Sequence, residues 1–306
     1  MCKKIVFMGT PDFSIETLNV LAKSDYQLEC VYTQPPKKSS RGQKIKKSPV
    51  HIISEKLNLE VRHPSSLNEK NEYEYFKSLK AEIVIVVAYG KIIPKEYLDL
   101  PKKIFINIHA SLLPKWRGAA PIQRSIMNHD RESGVSIMKI EAGLDVGPYM
   151  RQIKVKINKK TTTKSLSLEL SCLGAATILD CIKLIENDEA KFIEQKNNIS
   201  SYAKKISKSE AKIDWRENSQ KILSKINALN PDPGAWFEFK NSRYKVWEAS
   251  VVDITGNPGK VMEENLTIAC GDKSIQINII QKEGKNKMSV ESFTKGTKIT
   301  KGENLI

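Results

Sequence analysis

The stretch that decides the reading runs FINIHASLLPKWRGAAPIQRS over residues 105–125 and GVSIMKIEAGLDVGPYM over residues 134–150. Phe105-Ile106-Asn107-Ile108-His109 alternates bulky apolar and polar side chains. A strand has a side-chain period of two, so Asn107 and His109 point to one face and Ile106 and Ile108 to the other. Ser111-Leu112-Leu113-Pro114 follows, and Pro114 and Gly118 break regular structure. A carboxamide and an imidazole therefore leave the end of an apolar strand side by side, into a loop. Open α/β sheets place ligand chemistry at the carboxyl ends of their strands. Asp145 lies between Gly143 and Gly147, in a turn that can carry it back to His109.

Working outward, the other segments agree with such a sheet. Ile5-Val6-Phe7 leads into Gly9-Thr10-Pro11-Asp12, and Ser14 stands where it can cap a helix with Ile15, Leu18 and Leu21 on one face. Leu28–Thr33 reads as a second strand, completing the β-α-β opening of a doubly wound sheet. No G-x-G-x-x-G is present, so a dinucleotide is not implied. Pro49–Asn58 and Glu72–Leu79 read as helices, with a short strand near Val61. Ile83–Ala88 is a continuous, mostly β-branched run, the signature of a strand buried on both faces. A helix is expected from Pro121 through Ile126, and strands over Gly134–Ile140 and Tyr149–Ile157. Thr162 is placed to cap a long helix carrying Leu166, Leu170, Leu173, Ile178, Ile182 and Ile185.

At 306 residues the chain has room for about two domains. The first is expected over 1–189, followed by a linker over 190–208 and a second domain over 209–306. In the latter, Ser219–Leu229 reads as a helix and Asn230–Gly234 as a turn. Short runs at Ala235–Phe239, Tyr244–Val252, Gly259–Met262, Leu266–Ala269 and Ser274–Ile280 suggest a small β-barrel. No apolar run reaches the roughly 18 residues of a membrane span. The five cysteines (Cys2, Cys30, Cys172, Cys181, Cys270) form no C-x-x-C pair. That usage suggests reduced thiols in a cytoplasmic protein.

Fifty Lys and Arg against 35 Asp and Glu give a formal charge of +15, which suits a polyanionic partner such as RNA. The charge is concentrated in QPPKKSSRGQKIKK at 34–47, which holds Lys37, Lys38, Arg41, Lys44, Lys46 and Lys47 and no acid. Pro35, Pro36, Ser39, Ser40 and Gly42 are expected to keep it irregular. A solvated loop and an RNA-contacting insertion that orders on binding are both consistent with it.

The N-x-H, S-L-L-P, W-R-G-A-A-P-I-Q and G-L-D-x-G elements, in this order, resemble the active-site region of the methionyl-tRNA formyltransferase family almost residue for residue. The resemblance extends to M-G-T-P-D-F near the start and to Y-A-x-K-I-S-K-x-E-A-x-I-D-W at 202–215, and so covers essentially the whole chain. It implies a Rossmann-like formyltransferase domain followed by an OB-like barrel. It also implies 10-formyltetrahydrofolate as one-carbon donor, initiator methionyl-tRNA as acceptor, no metal, and a monomer. Asn107, His109 and Asp145 are then the catalytic residues. V-V-A-Y-G-x-I-I-P, with Val87, Tyr89, Gly90 and Ile92, lines the pterin pocket together with Ser111, Leu112, Leu113 and Pro114. Lys37, Lys38, Arg41, Lys44, Lys46, Lys204 and Lys205 face the tRNA. Formyl transfer needs a donor to the developing oxyanion and a route for the amine proton. Asn107 supplies the first, while His109 and Asp145 supply the second. Two rivals share parts of this pattern: a folate-dependent formyltransferase or hydrolase acting on a small molecule, and a non-catalytic RNA-binding module.

Overall fold

A computed structural model describes residues 4–39, 44–296 and 299–305 of the chain. Arg41 and Cys2 lie outside the described residues, as do the side chains of Lys38 and Lys44. The chain divides into two compact units, one of 1–118, 133–155 and 167–202, the other of 119–132, 156–166 and 203–306.

The first unit is built on seven strands: β1 (Lys4–Gly9), β2 (Gln27–Tyr32), β3 (Val61–Arg62), β4 (Ile83–Val87), β5 (Ile104–His109), β6 (Glu132–Lys139) and β7 (Tyr149–Lys156). Their order in the sheet is β7-β6-β5-β4-β1-β2-β3. The pairs β1/β2, β1/β4, β2/β3 and β4/β5 are parallel, while β5/β6 is antiparallel. This is a doubly wound sheet whose chain order reverses between β1 and β4. Every residue of β4 is buried, as a central parallel strand requires.

The α-helices among the described residues are α1 (Ile15–Ala22), α2 (Pro49–Lys56), α3 (Lys70–Ser78), α4 (Lys95–Leu98), α5 (Pro121–Met127), α6 (Thr163–Glu186), α7 (Ser219–Ala228) and α8 (Val290–Gly296). Alternate residues of the sheet, Val6, Met8, Tyr32, Val84, Val86 and Phe105, meet Phe76 of α3 and Tyr97 of α4. The Phe76 ring lies 4.9 Å from Tyr97, 5.7 Å from Tyr32 and 5.9 Å from Phe105 between centroids. Phe105 shares its face with Asn107 and His109, so this aromatic core lies beneath the polar pair.

Two local expectations are corrected. Ser14 does not cap α1: its hydroxyl donates to Val87 O at 2.6 Å, and a turn of 3-10 helix over Asp12–Ser14 leads into the helix instead. The hydroxyl is drawn to the open carbonyl at the end of β4. The basic stretch is not wholly irregular either, because Lys37–Ser39 and Lys44–Lys46 pair as an antiparallel ladder. The Thr162 cap forms as read, with Ser165 N donating to Thr162 Oγ1 at 3.2 Å; Ser48, which the sequence reading did not single out, caps α2 by accepting from His51 N at 3.0 Å.

In the second unit, β8 (Ala235–Phe239), β9 (Ser242–Val252), β10 (Val261–Glu263), β11 (Thr267–Ala269), β12 (Ser274–Lys282) and β13 (Met288–Ser289) form an antiparallel sheet. The order is β8-β9-β12-β11-β10, with β13 beside β12. Ile222, Leu223 and Ile226 of α7 pack into its core with Trp215, Phe237, Tyr244 and Phe293. Neither β13 nor α8 was expected, since VESFTKG offers only Val290 and Phe293 as buried anchors.

Candidate active site

β5 delivers Asn107 and His109 at its carboxyl end, next to β4 and close to the point where the strand order reverses. Asn107 is registered against Val86 on one side and Met138 on the other. Its side chain is half-buried and takes no hydrogen-bond partner among the described residues. A carboxamide placed so, with two donors and an acceptor unused, is costly unless solvent or a ligand satisfies it.

His109 is 6% exposed. Its Nε2 lies 3.0 Å from Trp116 O, and a carbonyl can only accept, so Nε2 carries a hydrogen. Nδ1 faces Asp145 Oδ2 at 3.7 Å, an ion-pair distance longer than a direct hydrogen bond. The same Oδ2 accepts from Gly118 N at 2.8 Å. Asp145 adopts φ +52°, a left-handed conformation that Asp tolerates better than most residues. The turn thus brings Asp145 to His109, as the Gly-flanked sequence implied.

The Ser111–Pro114 loop is held from below. Ser136 Oγ donates to Ser111 O at 2.7 Å and accepts from Leu113 N at 3.0 Å. Gln152 Nε2 donates to Ser136 Oγ at 2.9 Å and to Leu113 O at 2.8 Å. Ser111 spends its own hydroxyl on Lys115 O at 2.6 Å. Leu113 is buried, while Leu112 and Pro114 keep partly open faces.

In the neighbouring loop Val87 is fully buried and its carbonyl is taken by Ser14. The Tyr89 ring turns into the aromatic core, where its hydroxyl is buried without a partner among the described residues, and burial pushes the phenol well above its ordinary range. Its carbonyl accepts from Thr10 Oγ1 at 2.8 Å and Gln34 Nε2 at 3.1 Å, and Gln34 also holds Gly90 O at 2.9 Å. Ala88 and Gly90 are exposed, and Ile92 is 92% exposed. The loop is therefore braced through its backbone, with Ala88, Gly90 and Ile92 presented outward.

Lys37 and Lys46 are exposed on the basic ladder, and Ile45 between them stands out into solvent. Lys47 pairs with Glu55 at 2.5 Å. Burial, and then the charge of Lys37, push the Lys91 amine below its ordinary value. Lys204 and Lys205 are exposed and belong to the second unit.

Residues that sequence reading missed include Ser136, Gln152, Arg117, Gln195 and Ser201. Ser201 accepts from Trp116 N with its hydroxyl at 3.0 Å and from Arg117 N with its carbonyl at 2.9 Å. Of these only Arg117 carried a signal, the unusual W-R-G block at 116–118, which does not say what the arginine touches.

Residues 3–182 match the family model described as formyl transferase, and residues 205–298 match the formyl transferase C-terminal domain. A methionyl-tRNA formyltransferase of Pelagibacter ubique is 50% identical over 100% of this chain and 99% of its own length. One from Paramagnetospirillum magneticum is 41% identical over 98% of each. Among solved structures, the methionyl-tRNA formyltransferase from Clostridium thermocellum superposes with a TM-score of 0.56 at 15% identity, over 81% of this chain and 93% of that one. HypX from Aquifex aeolicus, solved in complex with tetrahydrofolic acid, superposes with a TM-score of 0.67 at 16% identity, over 94% of this chain and 46% of that one.

Proposed function

The chain belongs to the methionyl-tRNA formyltransferase family, and from that premise we propose that it moves the formyl group of 10-formyltetrahydrofolate to the α-amino group of methionine carried by initiator tRNA. The observation that carries the reading is the approach of the His109 imidazole and the Asp145 carboxylate, 3.7 Å apart, at the end of the strand that also delivers Asn107, whose carboxamide has no hydrogen-bond partner among the described residues.

The donor supplies the formyl carbon; this chain's residues position the groups around it and handle charge and protons. Asn107 donates to the formyl oxygen as the amine adds and negative charge develops there. His109 keeps its Nε2–H on Trp116 O, so Nδ1 is the nitrogen that faces the chemistry and Asp145. In its cationic form the imidazole adds positive charge beside the oxyanion. Asp145 takes the proton released by the attacking amine, and that proton passes to the leaving folate nitrogen as the bond between that nitrogen and the formyl carbon breaks. Atoms balance with no covalent enzyme intermediate. The half-buried amide donor and the backbone-braced loop at 88–92 fit a flat, hydrogen-bonding donor such as a pterin.

In this reading residues 1–189 carry catalysis. Residues 209–306 form an OB-like RNA-binding domain, and Lys37, Lys46, Lys204 and Lys205, with Lys38, Arg41 and Lys44, contact tRNA phosphates. The protein works in the cytoplasm as a monomer, where its thiols, buried at Cys30, Cys181 and Cys270, stay reduced. The test is transfer of labelled formyl to methionine charged on initiator or elongator tRNA. The reading expects strong preference for the initiator; label passing to water or to a small sugar amine instead, with neither tRNA formylated, overturns it.

A further inference from the structure

Arg117 is 2% exposed, and among the described residues its guanidinium meets amides rather than an acid. Nε and Nη2 both donate to Gln195 Oε1, at 3.0 and 2.8 Å, and Nη2 also donates to Asn197 Oδ1 at 2.9 Å. Burying a cation without an anionic partner is expensive. Gln195 is itself buried, and its Nε2 points the other way. It donates to Asp145 O at 2.9 Å and to Gly147 O at 2.7 Å. One carboxamide therefore has all its visible capacity committed between a buried cation and the two carbonyls of the turn that carries Asp145.

The same arginine sits in the middle of a tripeptide that touches both ionisable members of the site. Trp116 O holds His109 Nε2, and Gly118 N holds Asp145 Oδ2. Residue 117 anchors this tripeptide from inside, and its backbone N is fixed by Ser201 O. Asp145 is thus gripped twice, by its side chain through Gly118 and by its backbone through Gln195. Both grips trace to the Trp116–Gly118 segment. A positive charge on Gln195 Oε1 polarises the amide and strengthens its two N–H donors, as expected for chained hydrogen bonds in a low-dielectric interior.

We propose that Arg117 and Gln195 are positioning residues for the transfer reaction: the buried guanidinium, acting through the Gln195 carboxamide, sets the place of Asp145 relative to His109. The proposal rests on the formyl-transfer reading for its kinetic consequence, but the clamp itself has a readout that does not. It also gives the 195–201 segment, which by composition reads as mere linker, a part in the active site.

Gln195→Glu separates position from stability. The carboxylate gives Arg117 an acidic partner, which supports folding. It removes both donors to the turn and sets an anion against the carbonyls of Asp145 and Gly147. Expected are a melting temperature held within a few degrees, amide exchange over residues 143–147 faster by roughly tenfold or more, and kcat for formyl transfer reduced by about 10²-fold with KM for tRNA little changed. The pH dependence of kcat should also shift, because the Asp145–Nδ1 geometry governs proton transfer. Arg117→Lys, which keeps charge but not the fork, should show the same pattern more weakly. Unchanged exchange at 143–147 together with unchanged kcat overturns the proposal. If the wild type fails to formylate methionyl-tRNA at all, the functional reading falls, while faster exchange in Gln195→Glu still supports the clamp and unchanged exchange still refutes it. Should Gln195→Glu not fold, Gln195→Met, an uncharged isostere, is read by the same exchange and kcat measurements with the same outcomes.

Discussion

Gly147→Ala is the perturbation whose consequence can be worked furthest from the structure. A Cβ at this position would stand 2.1 Å from Lys139 O and 3.3 Å from Glu141 Cγ. A carbon needs about 3.3 Å from a carbonyl oxygen, so one of the two backbones must retreat by roughly 1 Å. Lys139 is held in β6 opposite Ile106, and its N–H is fixed by Pro148 O at 2.9 Å. The turn over 143–147 is the side that moves. That motion breaks or lengthens the bonds from Gln195 to Gly147 O and Asp145 O, at about 1 kcal/mol net each, so ~2 kcal/mol of stability should be lost. Misplacing Asp145 by about 1 Å should lower kcat by about 10²-fold. Urea denaturation and steady-state formyl transfer measure the two effects. Full kcat in a folded Gly147→Ala protein would refute the argument that this turn sets the place of the carboxylate.

Phe76→Ala removes the ring at the centre of the aromatic core under β5 and should cost about 3–5 kcal/mol in denaturant unfolding. For Glu72, burial opposes ionisation, but hydrogen bonds from Arg62 at 2.6 and 2.9 Å and from Tyr32 at 2.7 Å hold the carboxyl below its ordinary value of 4.5. Its contribution is therefore fully present above that value and is lost as pH falls through the lower folded-state value; the stability gap between wild type and Glu72→Gln should shrink in the same window, and a gap independent of pH would show that the charge does not matter. Replacing Lys37 and Lys46 together by Ala should reduce the slope of log affinity for tRNA against log salt by about 2, which a filter-binding titration across salt reads directly.

Elements with strong periodicity were legible without coordinates. Ile83–Val87 could only be a buried strand, and the alternation at 105–109 named both the faces of β5 and the residues it delivers. Asp145 was legible because two glycines flagged its turn. What escaped was non-local. Arg117 and Gln195 are 78 positions apart, and no local pattern says that an arginine in one loop will bury its charge on a glutamine far down the chain. Tyr89 illustrates the opposite case: its segment was read as lining a ligand pocket, and in the fold the ring packs into the core while the backbone carbonyl braces the loop. Ser14 had the residue type of a helix cap, and a nearer carbonyl on β4 won its hydroxyl.

The most direct measurement is single-turnover formyl transfer by Asn107→Ala, alongside the affinity for a stable folate donor analogue. The account predicts a rate lower by about 10²–10³-fold with donor affinity changed only severalfold, since the carboxamide acts on charge that develops during transfer. A rate equal to wild type with donor bound would contradict it.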